Sequence, residues 1–78
     1  MVQHQPEANR FIIEQDGHTC VLDYKVSGSG INFTHTYVPF KLRGKGLAEE
    51  LVRSGLAWAD EQGFEKQASC WYVAKFLD

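Results

Sequence analysis

The stretch of sequence that decides the fold is Val38-Pro-Phe-Lys-Leu-Arg-Gly-Lys-Gly-Leu-Ala48. A segment rich in β-forming residues, 31–38, precedes it, and an amphipathic helical pattern follows it. The first turn of a helix carries backbone N–H groups without intrahelical partners, and the helix dipole makes that end positive. Gly44 and Gly46 let an anion approach the backbone, while Arg43 and Lys45 add positive charge. The stretch therefore predicts a binding site for a pyrophosphate.

The two commonest phosphate-binding motifs are absent from this stretch. A P-loop needs two glycines five positions apart followed by Lys-Ser/Thr, and a dinucleotide fingerprint needs a third glycine where this chain has Glu49. The pattern that is present, Arg43-x-x-Gly46-x-Ala48, resembles the Arg/Gln-x-x-Gly-x-Gly/Ala signature of the GNAT acyltransferase superfamily. The pairs His35-Thr36, Ser69-Cys70 and Tyr72-Val73 extend the resemblance to a small single-domain GNAT-like family, from about Asn9 to the end of the chain.

The resemblance implies an N-acetyltransferase that uses acetyl-CoA as co-substrate and an unidentified amine as acceptor. It further implies that the glycine turn holds the pyrophosphate and that the edge of the preceding strand pairs with the pantetheine amides. The predicted acetyl-CoA-binding residues are Tyr37, Val38, Arg43, Gly44, Lys45, Gly46, Leu47 and Ala48. The alternative function is a module that binds acyl-CoA or a partner protein without turnover.

Two side chains are candidates for catalysis, Cys70 and His35. Cys70 is predicted at the start of a helix, where the dipole favours a thiolate, and the resemblance places a cysteine near the thioester. The resemblance also places a His-Thr pair at 35–36, and His35 could take a proton from the amine near neutral pH. Tyr37 stands where related sequences often have an acid, which shifts the weight to these two residues. Direct attack by the amine and transfer through an acetyl-Cys70 intermediate are both open, as are packing roles for both side chains.

The predicted fold class is α+β, with the element order β-β-β-α-β-α of a minimal acyl-CoA N-acyltransferase fold. Asp16-Gly17 predicts a two-residue hairpin turn, and this turn sets Phe11 opposite Leu22 and Ile13 opposite Cys20. A helix over 46–62, ending at Gly63, would cross over to a strand at 64–69 that runs parallel to the third strand. Together the elements form a three-stranded antiparallel meander with one added parallel strand.

The third strand and the last helix complete these expectations. A turn at 27–30 sets Tyr24 opposite Phe33 and Leu22 opposite His35, so that His35 and Tyr37 share the apolar face of the sheet. Gly55, on the apolar face of the helix, is expected to allow close approach to the sheet. A final short helix is predicted over 70–77, with Ser69 as its N-cap.

Composition and charge limit the remaining possibilities. With 78 residues and 44% hydrophobic content, the chain is predicted to form one domain over 9–78 after a flexible tail at 1–8. A net charge of −2, with one basic cluster at 41–45, disfavours nucleic acid as a partner. The chain has no apolar segment of about 20 residues, and its two cysteines are expected to stay reduced, so a cytoplasmic protein with no membrane partner is predicted. The three scattered histidines predict no metal site, and a monomer or weak dimer is expected.

Overall fold

The computed structural model describes residues 1–77, and Asp78, the last residue of the predicted domain, lies outside them. Within these residues one five-stranded sheet follows chain order, with β5 parallel to β4 and the other neighbours antiparallel. This is the predicted α+β class with one further strand at the N-terminal edge. No helix among residues 1–77 is long and apolar enough to cross a bilayer. The elements are β1 (Gln3–Gln5), β2 (Arg10–Gln15), β3 (His18–Ser27), β4 (Gly30–Tyr37), α1 (Leu47–Gln62), β5 (Glu65–Ala68) and α2 (Trp71–Ala74).

The first hairpin has the predicted register. Phe11 pairs with Leu22, and Ile13 pairs with Cys20. Asp16-Gly17 forms the turn with φ angles of 52° and 75°, as a type I′ turn requires. The four paired side chains are buried in the core between the sheet and α1. The local turn chemistry and the alternating pattern thus agree, and the agreement confirms this part of the prediction.

A β-bulge in β4 changes the register of the second hairpin. Tyr24 pairs with Phe33 as predicted, but the pairing shifts by one residue beyond that pair, so Leu22 lies opposite Thr36 and not opposite His35. Side chains alternate between the two faces of a strand, and one extra residue therefore exchanges the faces beyond it. The predicted pairing of Leu22 with His35 was wrong for this reason.

The exchange of faces moves two predicted site residues. His35 and Tyr37 leave the apolar face, and both are exposed, Tyr37 to 47%. Thr36 takes the position that His35 was predicted to occupy. Residues 31–37 contain no glycine or other sign of a bulge, which is why simple alternation placed these residues on the wrong face.

Residues 3–8, predicted to belong to a flexible tail, instead form β1 and a 3₁₀ turn. His4 stacks on Phe11 with ring centroids 4.1 Å apart, and its Nε2 lies 2.7 Å from the Tyr24 hydroxyl. The His4 ring also meets Trp58 edge-on at a centroid distance of 4.5 Å. The tail prediction was wrong because the polar composition of residues 1–8 does not reveal the aromatic contacts that His4 makes with β2, β3 and α1.

His4 should make the stability of the fold depend on pH. Burial lowers the pKa of His4 from its ordinary value of 6.5, and the nearby Glu7 carboxylate only partly opposes this. The folded state therefore favours the neutral ring, so its stabilisation is complete above about pH 6.5 and is lost as the pH falls below that value. We expect the midpoint of urea unfolding, followed by circular dichroism, to fall more between about pH 7.5 and about pH 5.5 in the wild type than in a His4→Phe variant. An identical pH dependence in both proteins would contradict this assignment.

Helix α1 packs closely on the sheet at Gly55. A Cβ added to Gly55 would lie 2.8 Å from Leu22 Cδ2 and 3.1 Å from Phe33 Cε1, which is closer than carbon atoms pack. This contact accounts for a glycine in the middle of a helix, where it costs about 1 kcal/mol relative to alanine. The helix begins after Gly46 and ends before Gly63, within one residue of the predicted bounds, and both capping glycines have left-handed backbone angles.

The chain after α1 forms the predicted parallel strand. β5 pairs with β4 from Gly30 opposite Glu65 to Phe33 opposite Ala68. Cys70, not Ser69, occupies the N-cap position of α2, which is a single turn and shorter than predicted. The N-cap prediction for Ser69 was wrong because its hydroxyl accepts a hydrogen bond from Asn32 on β4 instead.

Candidate functional site

The strands β4 and β5 separate beyond the pair Phe33 and Ala68. The N–H groups of Ser69 and Cys70 both donate to the Phe33 carbonyl, at 3.1 and 3.2 Å, and the chain then turns into α2. β4 continues to Tyr37, so the edge of β4 that faces β5 has no strand partner over 34–37 within the described residues. The separation opens a gap between the two parallel strands at the N-terminal end of α1.

Two cavities lie along this gap. The first, here called the turn cavity, has a volume of about 200 Å³ and is lined by Val38, Leu42, Arg43, Gly44, Gly46, Leu47, Ala48, Glu49 and Tyr72. The second, here called the cysteine cavity, has a volume of about 350 Å³ and is lined by Thr36, Tyr37, Val38, Arg43, Ala48, Cys70, Trp71 and Tyr72. The two linings share Val38, Arg43, Ala48 and Tyr72. The cavities are therefore neighbouring parts of one groove that runs from the helix N-terminus to the cysteine.

The glycine turn leaves its backbone open to the groove. Gly44 and Gly46 have φ angles of 82° and 77°, and a Cβ added to either would meet no atom within 4 Å. Gly46 is also the N-cap of α1, so the unpaired N–H groups of the first helical turn lie beside this open space. The turn has the two properties that an anion needs, namely room beside the backbone and donors that face it.

Charged side chains around the glycine turn stabilise its backbone and change the electrostatic field at the helix N-terminus. Arg43 Nε donates to the Val38 carbonyl at 2.9 Å, and the guanidinium lies 5.9 Å from the centre of the Phe40 ring. Glu49 would weaken the positive field at the helix N-terminus, but it forms an ion pair with Arg53 at 2.7 Å. Lys45 is exposed and lies outside both cavity linings.

Cys70 lies in the groove against Thr36, with Sγ 3.5 Å from the threonine Oγ1. Burial alone would raise the pKa of the Cys70 thiol. The hydrogen bonds from the Thr36 hydroxyl and from the backbone groups of Val73, Tyr72 and Thr36 outweigh burial and lower the pKa below its ordinary value. By contrast, burial raises the pKa of Cys20, whose side chain is 0% exposed in the core. The pKa values of the two thiols are thus shifted in opposite directions, and the thiolate is favoured only at Cys70.

The predicted catalytic pair is not brought together. Thr36 faces Cys70, and the adjacent His35 therefore lies on the opposite face of β4, where it is paired across the strands with Asp23. His35 belongs to neither cavity lining. Tyr37 does line the cysteine cavity, as predicted for a residue at the strand edge. The predicted placement of His35 beside the cysteine was wrong.

Five residues that line the groove were not predicted as site residues: Thr36, Leu42, Glu49, Trp71 and Tyr72. Of these, Thr36 and Tyr72 bring hydroxyl groups to it. The bulge brings Thr36 to the cysteine, whereas Tyr72 lines both cavities because α2 follows Cys70 directly. Burial raises the pKa of Tyr72, the Glu49 carboxylate adds to this effect, and Arg53 opposes it. The phenol therefore stays protonated at neutral pH and can donate a hydrogen bond into the groove. The pair Tyr72-Val73 belongs to the family-like pattern, and this was the one signal that could have singled the tyrosine out.

The described part of the chain contains no cluster of side chains that could bind a metal ion. Among residues 1–77, no group of three or more His, Cys, Asp or Glu side chains lies close enough together to hold a metal ion.

Comparison with known proteins identifies relatives of this chain. A family model described as GCN5-related N-acetyltransferase matches residues 10–78. Protein NATD1 of Bos taurus is 32% identical over 79 aligned residues, which cover 97% of this chain and 70% of that protein. Protein NATD1 of Homo sapiens is 30% identical with the same coverage of 97% and 70%.

A solved structure supports the same relationship at the level of the fold. The solution NMR structure of a GCN5-like candidate N-acetyltransferase from Staphylococcus aureus superposes with a TM-score of 0.75 at 26% sequence identity. The superposition covers 99% of this chain and 76% of the other. The overall fold is thus shared with that protein.

Proposed function

The chain belongs to the GCN5-related N-acetyltransferase family, and from this premise we propose that it transfers the acetyl group of acetyl-CoA to an amine. The observation that carries the proposal is the continuity of the turn cavity and the cysteine cavity. A single extended ligand in this groove would have an anionic part at the positive end of α1 and a reactive part beside a thiol of lowered pKa. Acetyl-CoA is such a ligand, because its anionic pyrophosphate and its reactive thioester lie at separate points along its length.

The residues of the turn suit the pyrophosphate of acetyl-CoA. The open space beside Gly44 and Gly46 admits phosphate oxygens, and the free N–H groups at the start of α1 would donate to them. The unpaired edge of β4 beyond Phe33 offers backbone groups to the pantetheine amides, as one strand offers them to another. Arg43 lines both cavities and donates a hydrogen bond to the Val38 carbonyl. This bond fixes the path of the chain between Val38 and Arg43.

Acetyl-CoA, when bound, supplies an acetyl thioester. In the overall transfer its carbon–sulfur bond breaks, a carbon–nitrogen bond forms, and the amine loses a proton while CoA leaves as a thiol. Cys70 can serve this reaction in two ways, by accepting the proton of the attacking amine or by attacking the thioester itself. With His35 on the other face of β4, the lowered pKa of Cys70 makes its thiolate the base or nucleophile that we propose.

We assign the proposed activity to one domain that comprises residues 9–78 together with the edge strand β1, acting as a monomer or weak dimer in the cytoplasm. Cys20 and Cys70 are free thiols, which supports a reducing compartment. The proposed acceptor is an unidentified amine. A nucleic-acid partner is not proposed, because the net charge of −2 disfavours one.

Binding of acetyl-CoA at the turn is tested by a pair of glycine variants. Gly46 and Gly63 cap the two ends of α1 with nearly equal φ angles, 77° and 76°, and both have open space where a side chain would go. Gly46→Glu and Gly63→Glu therefore carry similar backbone strain, but only the first places a carboxylate in the groove. By titration calorimetry we expect Gly46→Glu to weaken acetyl-CoA binding about tenfold or more, since the carboxylate repels the phosphates, while Gly63→Glu stays close to the wild type.

Equal affinity for acetyl-CoA in the wild type and both variants would remove the turn as the pyrophosphate site. Equal losses in both variants would show that backbone strain, not the groove, lowers the affinity. Tight binding without release of CoA, in the presence of amines, would instead support the non-catalytic acyl-CoA-binding module.

A further inference from the structure

A hydrogen-bonded fork joins Asn32 of β4 to Ser69, the residue that precedes Cys70. The Asn32 Nδ2 group donates to the Ser69 hydroxyl at 2.8 Å, and the Ser69 backbone N–H donates to Asn32 Oδ1 at 2.9 Å. A backbone N–H can only donate, so the amide oxygen must face it and the amide nitrogen must face the hydroxyl. The fork therefore has one consistent orientation and fixes both the backbone and the side chain of Ser69.

The fork lies at the point where the chain leaves the sheet after β5. Asn32 lies one residue before Phe33, the last β4 residue paired with β5, and four residues before Thr36. Ser69 lies between the end of β5 and the N-cap of α2. The fork thus ties the departing chain to the same strand that carries the Thr36 hydroxyl toward the cysteine sulfur.

We propose that Asn32 is a positioning residue for Cys70: its two hydrogen bonds to Ser69 hold the cysteine sulfur in contact with the Thr36 hydroxyl. Besides the fork, the N–H groups of Ser69 and Cys70 both donate to the single Phe33 carbonyl, and backbone groups of Val73, Tyr72 and Thr36 hydrogen-bond to the Cys70 sulfur. A shared acceptor leaves the chain free to pivot about that oxygen, whereas the fork adds two further fixed points on one side of it. Without the fork, the contact of 3.5 Å between Thr36 and Cys70 would loosen and the thiolate would lose its hydroxyl donor.

The link of Asn32 to catalysis rests on the proposed function, but its effect on the thiol does not. The test therefore measures the rate of Cys70 alkylation by iodoacetamide across a range of pH, without any acetyl-CoA. Labelled peptides are quantified by mass spectrometry, and the midpoint of the rate profile reports the thiol pKa. Failure of this experiment and failure of acetyl transfer can then be told apart.

The variants compare two amides in the same row of the sheet. Asn32 and Gln67 are register partners on β4 and β5, and Gln67 is exposed. Asn32→Leu removes the fork, whereas Gln67→Leu makes a similar change beside it.

We expect Asn32→Leu to raise the midpoint of the alkylation profile and to slow Cys70 labelling at neutral pH by about three- to tenfold, the range that hydrogen bonds of this kind produce. Gln67→Leu should stay close to the wild type. Thermal unfolding of each variant, measured alongside, shows whether the fold remains intact at the labelling temperature. An unchanged midpoint in a folded Asn32→Leu protein, or an equal shift in Gln67→Leu, would overturn the proposal.

Discussion

Replacement of Cys70 by alanine should lower acetyl-CoA-dependent acetylation of an amine by about 10²- to 10⁴-fold, the range that a positioned base or nucleophile contributes. The thiol lies in the groove in contact with Thr36, and its pKa is lowered despite burial, because hydrogen bonds to the sulfur favour the thiolate. Alanine removes the sulfur but leaves the turn cavity unchanged. We therefore expect the rate of CoA release to fall while the affinity for acetyl-CoA, measured by calorimetry, stays close to that of the wild type.

Two control variants separate this effect from general damage to the protein. Cys20→Ala removes the other thiol, which lies in the core with its side chain 0% exposed, and should leave the catalytic rate nearly unchanged. His35→Ala removes the second sequence-predicted candidate, which lies on the opposite face of β4, and should also leave the catalytic rate nearly unchanged. Acceptors for the assay are a lysine-containing peptide and spermidine, of which the one giving the higher wild-type rate is used. A Cys70→Ala protein with full activity would exclude the cysteine, and a His35→Ala protein without activity would restore the histidine.

The sequence predicted the parts of the fold that depend on local chemistry. Asp16-Gly17 requires positive φ angles that few other pairs adopt, so the turn and its register could be inferred together. The glycine turn before α1 was predictable for a similar reason, because Gly44 and Gly46 both have the left-handed backbone that glycine permits. In both places the amino-acid type and the backbone conformation are directly linked.

The bulge in β4 depends on packing that no local pattern reveals. Alternation predicted that His35 faces the core, but Thr36 does so, because the register shifts after the pair of Tyr24 with Phe33. The tertiary contact of Thr36 with Cys70 belongs to residues 34 positions apart. The candidate catalytic cysteine could therefore be named from the sequence, whereas its hydrogen-bond partner could not.

The edge strand β1 at the N-terminus also depends on tertiary packing, so the sequence did not predict it. A stretch of polar residues with a proline predicts no structure, yet His4 joins an aromatic cluster formed by Phe11, Tyr24 and Trp58. These three partners lie on β2, β3 and α1, and they come together only in the folded chain. The pH dependence expected for the fold follows from this cluster, so it could not have been inferred before the structure.

Cys70 should react with iodoacetamide about a hundredfold or more faster than Cys20 in the native protein. Alkylation requires a thiolate and access, and the two thiols differ in both, since the pKa of Cys70 is lowered and that of fully buried Cys20 is raised. Cys20 can react only when the core opens. Labelling of each cysteine is measured by peptide mass spectrometry as a function of time, and equal rates would reduce Cys70 to a packing residue.

Thr36→Val tests the cause of this reactivity within the same strand. Valine has the shape of threonine without the hydroxyl, so the Cys70 sulfur loses a hydrogen bond and its labelling at neutral pH should slow several-fold. Thr34→Val is the matched control, because its hydroxyl donates to the Asp23 carbonyl at 3.4 Å and does not contact the cysteine. A similar loss of reactivity in both variants would point to a general disturbance of β4.

Acetyl-CoA should then slow the labelling of Cys70 and leave Cys20 unaffected, either by covering the thiol or by acetylating it. Intact mass distinguishes these outcomes, because only an acetyl-cysteine retains the added acetyl group after free CoA is removed. Retained acetyl on Cys70 that disappears when spermidine is added would show that the thiol is a nucleophile whose acetyl group passes to an amine. Protection without added mass would favour direct attack by the amine, with the Cys70 thiolate accepting its proton. Labelling of Cys70 that is indifferent to acetyl-CoA would separate the cysteine from the acetyl-CoA site.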